Sequence, residues 1–363
     1  MRLNPWTPIA AMILVLGHST IWAAGTKEPP KASSWVEYRP GGDALCGRGE
    51  DYAFFVHHGN STKVLIDFIG GGACWNAENC SVDDATFVDS VNHLRRETQQ
   101  GKMRGFYDKS NESNPFKDWT HILVPYCTGD IHWGANDVTY QPDNGPSFKI
   151  HHRGGINAKA VLDWVETHAQ AEAQQVMVTG CSAGSYGSIY WTPQIRRIFP
   201  GAQIAQLGDS GAGITTKEFT DTTIDSWRAA TMAPTWIPGL DPRRVDWKTL
   251  RIEDIYQRIG AYYPEVTLTQ FNTASDTTQA WFFSQMGGEE GEWGGRMRRS
   301  VQAISGTTPN FRYYLGAGIE HCIIPNDSFY ATVNSDVSFS AWFKAVAAGE
   351  RVNNVVCDHC VSP

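Results

Sequence analysis

The pentapeptide Gly180-Cys181-Ser182-Ala183-Gly184 follows the apolar run Gln175-Val176-Met177-Val178-Thr179. A serine between two glycines at the end of a strand is the pattern of a sharp strand-to-helix turn. Such a turn holds the hydroxyl out over a sheet as a nucleophile, and the glycines relieve crowding there. The hydroxyl attacks a carbonyl only when a base takes its proton, usually a histidine oriented by a carboxylate. Two histidines follow Ser182 in the chain, His321 and His359. His321 comes after the apolar run Phe311-Arg312-Tyr313-Tyr314-Leu315 and a glycine-containing loop, where such a base is expected, whereas His359 lies between two cysteines of the tail.

Several carboxylates could orient the histidine. Asp209, in Leu207-Gly208-Asp209-Ser210-Gly211, ends the strand after the serine segment, and Asp276, in Ser275-Asp276-Thr277-Thr278-Gln279, follows a later one. Chain order of nucleophile, acid and histidine favours Asp276 and leaves Asp209 as a brace or an alternative. Attack on a carbonyl places negative charge on its oxygen, so backbone N–H donors must face that atom. Ala183, next to the serine, and the run Gly70-Gly71-Gly72 after an early strand are the natural suppliers. The pairs His57-His58 and His151-His152 are adjacent, and neighbours on a strand point to opposite faces, so neither pair offers two metal ligands on one surface. A catalytic metal is not expected, and the chain has neither a P-loop nor a G-x-G-x-x-G after a strand to hold a nucleotide cofactor.

These groups need a scaffold. The runs Val64-Leu65-Ile66-Asp67-Phe68-Ile69, Ile122-Leu123-Val124-Pro125, Val176-Met177-Val178, Ala202 to Leu207, Val266-Thr267-Leu268 and Phe311 to Leu315 read as strands. Between them, Ala160, Val161, Trp164 and Val165 recur at helical spacing within 157–168. Strands alternating with helices predict an α/β layered sheet, whose ligands gather at the carboxyl ends of the strands. Tyr52 to Val56 and Val64 to Ile69, flanking His58-Gly59-Asn60-Ser61, read as a hairpin. Residues 215–263, rich in tryptophan and proline, read as a cap over the site rather than a separate domain.

At 363 residues, 41% hydrophobic and 19% charged, the composition is that of a globular chain. The first residues are basic and lead into Ile9 to Gly17 and then Ile21-Trp22-Ala23-Ala24. This reads as a secretory signal peptide over 1–24, leaving a single domain over 25–363; a membrane span would need about 20 apolar residues. A secreted or periplasmic protein with no lasting membrane anchor is expected. Export suits the eight cysteines, which allow roughly a hundred disulfide connectivities. The short Cys74–Cys80 loop is the first expected pair, and Cys357-Asp358-His359-Cys360 reads as a staple of the tail. Cys181 could be paired or simply packed. A net charge of −8 without a basic block gives no footprint for nucleic acid. Most of the 14 tryptophans are expected in the core.

Four blocks taken together, Ile69-Gly70-Gly71-Gly72-Ala73-Cys74-Trp75-Asn76, Pro125-Tyr126-Cys127-Thr128-Gly129-Asp130-Ile131-His132-Trp133-Gly134, Gly180-Cys181-Ser182-Ala183-Gly184 and Glu320-His321-Cys322, resemble the pectin acetylesterase/Notum family of carboxylesterases. The resemblance implies an α/β-hydrolase fold, with a mostly parallel central sheet, helices on both faces and a cap. It implies Ser182 as nucleophile, His321 as base and Asp276 as acid, with Gly71, Gly72 and Ala183 as the oxyanion hole. Asp209 then becomes a structural or pocket residue. Two departures stand out: Ala73 occupies a position where the family commonly has an aromatic residue, and Cys181 precedes the serine. The expected activity is hydrolysis of acetyl esters on pectin or a related polysaccharide. The alternatives are longer acyl groups on lipid or protein, or a noncatalytic carbohydrate-binding relative.

Overall fold

The run Val64-Leu65-Ile66 is apolar at every position because both of its faces are covered. In the computed structural model, Val64, Ile66 and Phe68 pack into one hydrophobic cluster and Leu65 into another, on opposite sides of the sheet. The structure describes residues 35–101, 103–169, 172–357 and 360. The expected signal segment 1–24 and His359 lie outside them.

The ten longer strands are β1 (Trp35–Tyr38), β2 (Phe54–His57), β3 (Asn60–Phe68), β4 (Trp119–Val124), β5 (Asn136–Tyr140), β6 (Phe148–His152), β7 (Gln175–Cys181), β8 (Gln203–Asp209), β9 (Thr267–Thr273) and β10 (Phe311–Gly316). Eight of them form one sheet in the order β1-β2-β4-β3-β7-β8-β9-β10. Pairing is parallel from β4 to β10, and β1 and β2 add an antiparallel edge. β5 and β6 pair with each other, outside this sheet. The helices are α1 (Asn92–Gln100), α2 (Gly154–His168), α3 (Ala183–Ile198), α4 (Lys217–Ser226), α5 (Ile252–Tyr262), α6 (Thr277–Gln285), α7 (Glu290–Thr307), α8 (Ser328–Ala331) and α9 (Phe339–Ala347). Val161 of α2, Ile189 of α3, Ile255 of α5 and Val301 of α7 join the cluster of Val64 and Ile66, whereas Leu94 of α1 and Phe343 of α9 join that of Leu65. The expected mostly parallel sheet, with helices on both faces, is therefore what the chain forms.

The expected hairpin is not. β2 and β3 do not pair with each other, because β4 lies between them, antiparallel to β2 and parallel to β3. The short link from His57 to Asn60 therefore has to cross the start of β4. It passes so close that a Cβ on Gly59 would lie 2.5 Å from the Asp118 carbonyl oxygen and 2.6 Å from that of Trp119. The strand periodicity on both sides was readable, but a two-residue link fits a crossing as well as a hairpin turn. Gly59→Ala should cost about 2 kcal/mol, the usual scale of overpacking against fixed backbone. Urea denaturation checks this, and an unchanged midpoint would contradict the crossing.

Candidate active site

Ser182 lies between β7 and α3 with φ 56° and ψ −122°, a conformation a side-chain-bearing residue adopts only when its surroundings force it. The flanking glycines show what forces it. A Cβ on Gly184 would lie 1.8 Å from the Phe68 carbonyl oxygen, and one on Gly180 would lie 2.2 Å from that of Gly184. The turn is pressed against β3, and only hydrogen fits at those two positions. On its other side, the Ser182 N–H donates to the Asp209 carbonyl at 2.8 Å, continuing the pairing of β7 with β8.

The glycine run after β3 lies directly against this turn, since a Cβ on Gly70 would meet the Ser182 Cβ at 2.9 Å. The Gly71 carbonyl accepts from the Val88 N–H at 2.8 Å. In a trans peptide the N–H opposes the C=O, so the Gly72 N–H points away from Val88. The Ala183 N–H belongs to the first turn of α3, where a backbone donor has no partner within the helix.

His321 sits on the loop after β10, and its Nδ1 is 2.8 Å from Asp276 Oδ2. Asp276 is fully buried and caps α6: its Oδ1 accepts from the Gln279 N–H at 2.9 Å and its Oδ2 from Gln279 Nε2 at 3.0 Å. The two loops are stitched together by Ala274 N–H to the Gly316 carbonyl at 2.9 Å, Ser275 N–H to that of Gly318 at 3.1 Å and the Thr273 hydroxyl to that of Glu320 at 2.6 Å. His321 Nε2 is buried and has no hydrogen-bond partner among the described residues.

Asp209 does not contact the imidazole in this way. Its Oδ2 accepts the N–H groups of Ile323 and Ile324 at 2.8 and 2.9 Å, and Ser210 Oγ donates to its Oδ1 while accepting the Cys322 N–H at 2.9 Å. Burial pushes its carboxyl up to about 7, against the pull of those donors. Asp209 thus grips the segment just after His321. A disulfide grips it again: Cys181, before Ser182, is bonded to Cys322, after His321. The other pairs are Cys46–Cys127, the expected Cys74–Cys80 and the tail pair Cys357–Cys360.

Two cavities meet here, and Gly72, Ser182, Phe282 and His321 line both. One, of about 110 Å³, is walled by buried apolar side chains, among them Trp133, Trp227, Trp247, Ile252, Ile255 and Phe283. Four of these six come from residues 215–263, and Ala73 also lines it. The other is a groove of about 440 Å³ that runs toward α1.

The structure joins His321 to Asp276 and puts Ser182, Gly72 and His321 on the walls of both cavities, with Ala183 lining the apolar one, Gly71 lining the groove and Asp209 set behind them. Gln279, which fixes Asp276, was missed, although Asp276-Thr277-Thr278-Gln279 ahead of an apolar run is a helix-start signature. Cys322 as the partner of Cys181 had no signal beyond its place beside His321. Replacing both Cys181 and Cys322 by alanine should lower unfolding stability by about 2–5 kcal/mol. Denaturant titration measures it, and a loss near zero would show that Asp209 and packing hold the loops without the bond.

The chain is similar to several known proteins. Pectin acetylesterase 5 of Arabidopsis thaliana is 27% identical over 173 residues, 46% of this chain and 39% of that protein. Palmitoleoyl-protein carboxylesterase notum1a of Danio rerio is 24% identical over 184 residues, 48% of this chain and 35% of that protein. The match thus spans about two fifths of the length of these curated relatives. The Wnt deacylase Notum from Drosophila, in its crystal form I, superimposes with a TM-score of 0.64 at 16% identity, covering 92% of this chain and all of that one. That likeness establishes the α/β-hydrolase fold. A family model, Pectinacetylesterase, matches residues 34–232, which hold the glycine run and Ser182 but not Asp276 or His321. Because that match takes in more than half of the sequence, the chain belongs to the pectinacetylesterase family.

Proposed function

We propose that this chain is an exported serine carboxylesterase that removes acyl groups from hydroxyls of pectin or a related polysaccharide. One observation carries the reading: a buried carboxylate holds one nitrogen of His321, while the other nitrogen is left without a partner at the junction of two cavities lined by the strained Ser182. Ser182 Oγ bonds to the ester carbonyl carbon as His321 Nε2 takes its proton. Asp276 keeps the imidazole in the right tautomer and stabilises its charged form. Gly71, Gly72 and Ala183 frame the oxyanion site, with the Gly72 and Ala183 N–H groups as donors. His321 then returns the proton to the alcohol oxygen as the C–O bond breaks. Water, deprotonated by the same nitrogen, attacks the acyl-enzyme, releasing the carboxylic acid and restoring the serine. Side chains and backbone supply every step.

Residues 25–363 act as one catalytic domain, with 215–263 as a cap that walls the apolar cavity. Four disulfides among the described residues support export, since such bonds persist in oxidising compartments. Among the described residues no helix is long and apolar enough to cross a membrane.

Cavity size bears on the length of the acyl group. An apolar cavity of roughly 150 Å³ accepts a six-carbon ring, so 110 Å³ suits about four or five carbons. Acetyl fits with space to spare, and a chain as long as palmitoleoyl, with roughly three times as many carbons, exceeds it. Short acyl groups from acetyl to about pentanoyl are therefore the expected range.

Hydrolysis of nitrophenyl esters of increasing chain length tests the proposal. Activity should peak among short esters and fall beyond about six carbons, and Ser182→Ala and Asp276→Asn should each reduce kcat by about ten-thousand-fold. Equal turnover by wild type and Ser182→Ala on every ester would end the esterase reading. A severe loss in Asp209→Asn with near-normal Asp276→Asn would exchange the roles of the two acids.

A further inference from the structure

The groove on the other side of Ser182 carries more polar surface than the acyl cavity, although Ile69, Leu94, Met103 and Pro325 also line it. It shares Gly72, Ser182, Phe282 and His321 with the apolar cavity, and His93, Glu97, Arg104 and Thr278 are among its other lining residues. His93 and Glu97 stand one helical turn apart on α1, so they project from the same face. Neither side chain is hydrogen bonded or ion-paired among the described residues. Arg104 is well exposed and pairs with the equally exposed Asp327, an interaction weak enough to be exchanged for a ligand. Phe282 stands at the boundary of the two cavities, with the exposed ring of Trp281 4.8 Å away at 76°.

We propose that this groove is the alcohol subsite and that it recognises a carbohydrate leaving group through His93, Glu97 and Arg104. The inference rests on the esterase reading above and assigns the residues that hold the departing half of its substrate. An ester carbonyl at Ser182 has two arms, and the two cavities differ in what they can hold. A hydrocarbon chain laid over a carboxylate, an imidazole and a guanidinium would strip water from them without giving hydrogen bonds in return. A polyhydroxyl ring replaces that water, since neighbouring hydroxyls donate to Glu97 and accept from Arg104, and its C–H face can rest on Phe282. On the scale applied to the acyl cavity, 440 Å³ holds roughly one or two pyranose rings. His321 lines the groove, so the departing alkoxide meets its proton donor there.

The test compares three acetyl esters: nitrophenyl acetate, an acetylated xylo-oligosaccharide and a short peptide carrying O-acetylserine. Wild type should favour the oligosaccharide over the peptide. In Glu97→Gln and in His93→Ala, the ratio of kcat/KM for oligosaccharide to that for nitrophenyl acetate should fall about tenfold, the cost of one hydrogen bond to a charged or strongly polar group. A variant that only loosens the fold lowers both rates and leaves the ratio in place. An unchanged ratio in both variants, or a preference for the peptide ester, would overturn the proposal. Failure of the underlying esterase reading looks different, because wild type would then match Ser182→Ala on nitrophenyl acetate itself.

Discussion

The bond between Cys181 and Cys322 joins the residue before the strained serine to the residue after the histidine, across 141 positions of sequence. Among the described residues no other disulfide ties those two loops. Asp209 reinforces the tie from beneath, because it ends the strand beside β7 and its carboxylate holds the backbone of Ile323 and Ile324. The serine turn and the histidine loop therefore move together, and their separation is set by the register of β7, β8, β9 and β10. A serine and a histidine that meet only when their loops drift together would seldom be aligned for proton transfer, and alignment is where much of such catalysis lies.

Backbone strain gathers at the same place. Ser182, Ser210 and Cys322 all have positive φ, at 56°, 54° and 63°. Each such residue costs about 1–3 kcal/mol unless its neighbours over-determine it. They do so by extending the sheet past the strand ends: the Ser182 N–H reaches the Asp209 carbonyl, the Ser210 N–H reaches that of Phe271, and the Cys322 N–H reaches Ser210 Oγ. Gly180 and Gly184 complete the clamp by letting β3 approach. The strain is local, and the stability that tolerates it comes from the two apolar layers around the sheet.

What sequence reading could see follows from what side-chain patterns encode. The serine turn was legible because glycine spacing reports a steric need, and the apolar parallel strands because both of their faces are covered. β9 was legible only at its start. Its later residues Gln270 and Asn272 are polar yet fully buried, satisfied in part by Gln279 Nε2 to Asn272 Oδ1, and no hydropathy pattern reveals a strand paired in that way. That hidden stretch carries the chain to Asp276, so the acid had to be chosen by chain order and resemblance. β5 and β6 went unread despite Asp143-Asn144-Gly145 between them, because neither flank alternates cleanly. The partner of Cys181 was unreadable in principle, since connectivity depends on a fold that pattern alone does not specify.

The apolar cavity and the groove beside it give this arrangement direction, because among the described residues they share Ser182, His321, Gly72 and Phe282. Everything depends on that serine being reactive beyond an ordinary hydroxyl. Intact-protein mass spectrometry after treatment with a fluorophosphonate, followed by peptide mapping, measures this most directly. The account predicts a single adduct on Ser182, absent from Ser182→Ala and formed far more slowly in His321→Ala. No adduct on wild type, or one on another residue that persists in Ser182→Ala, would contradict it.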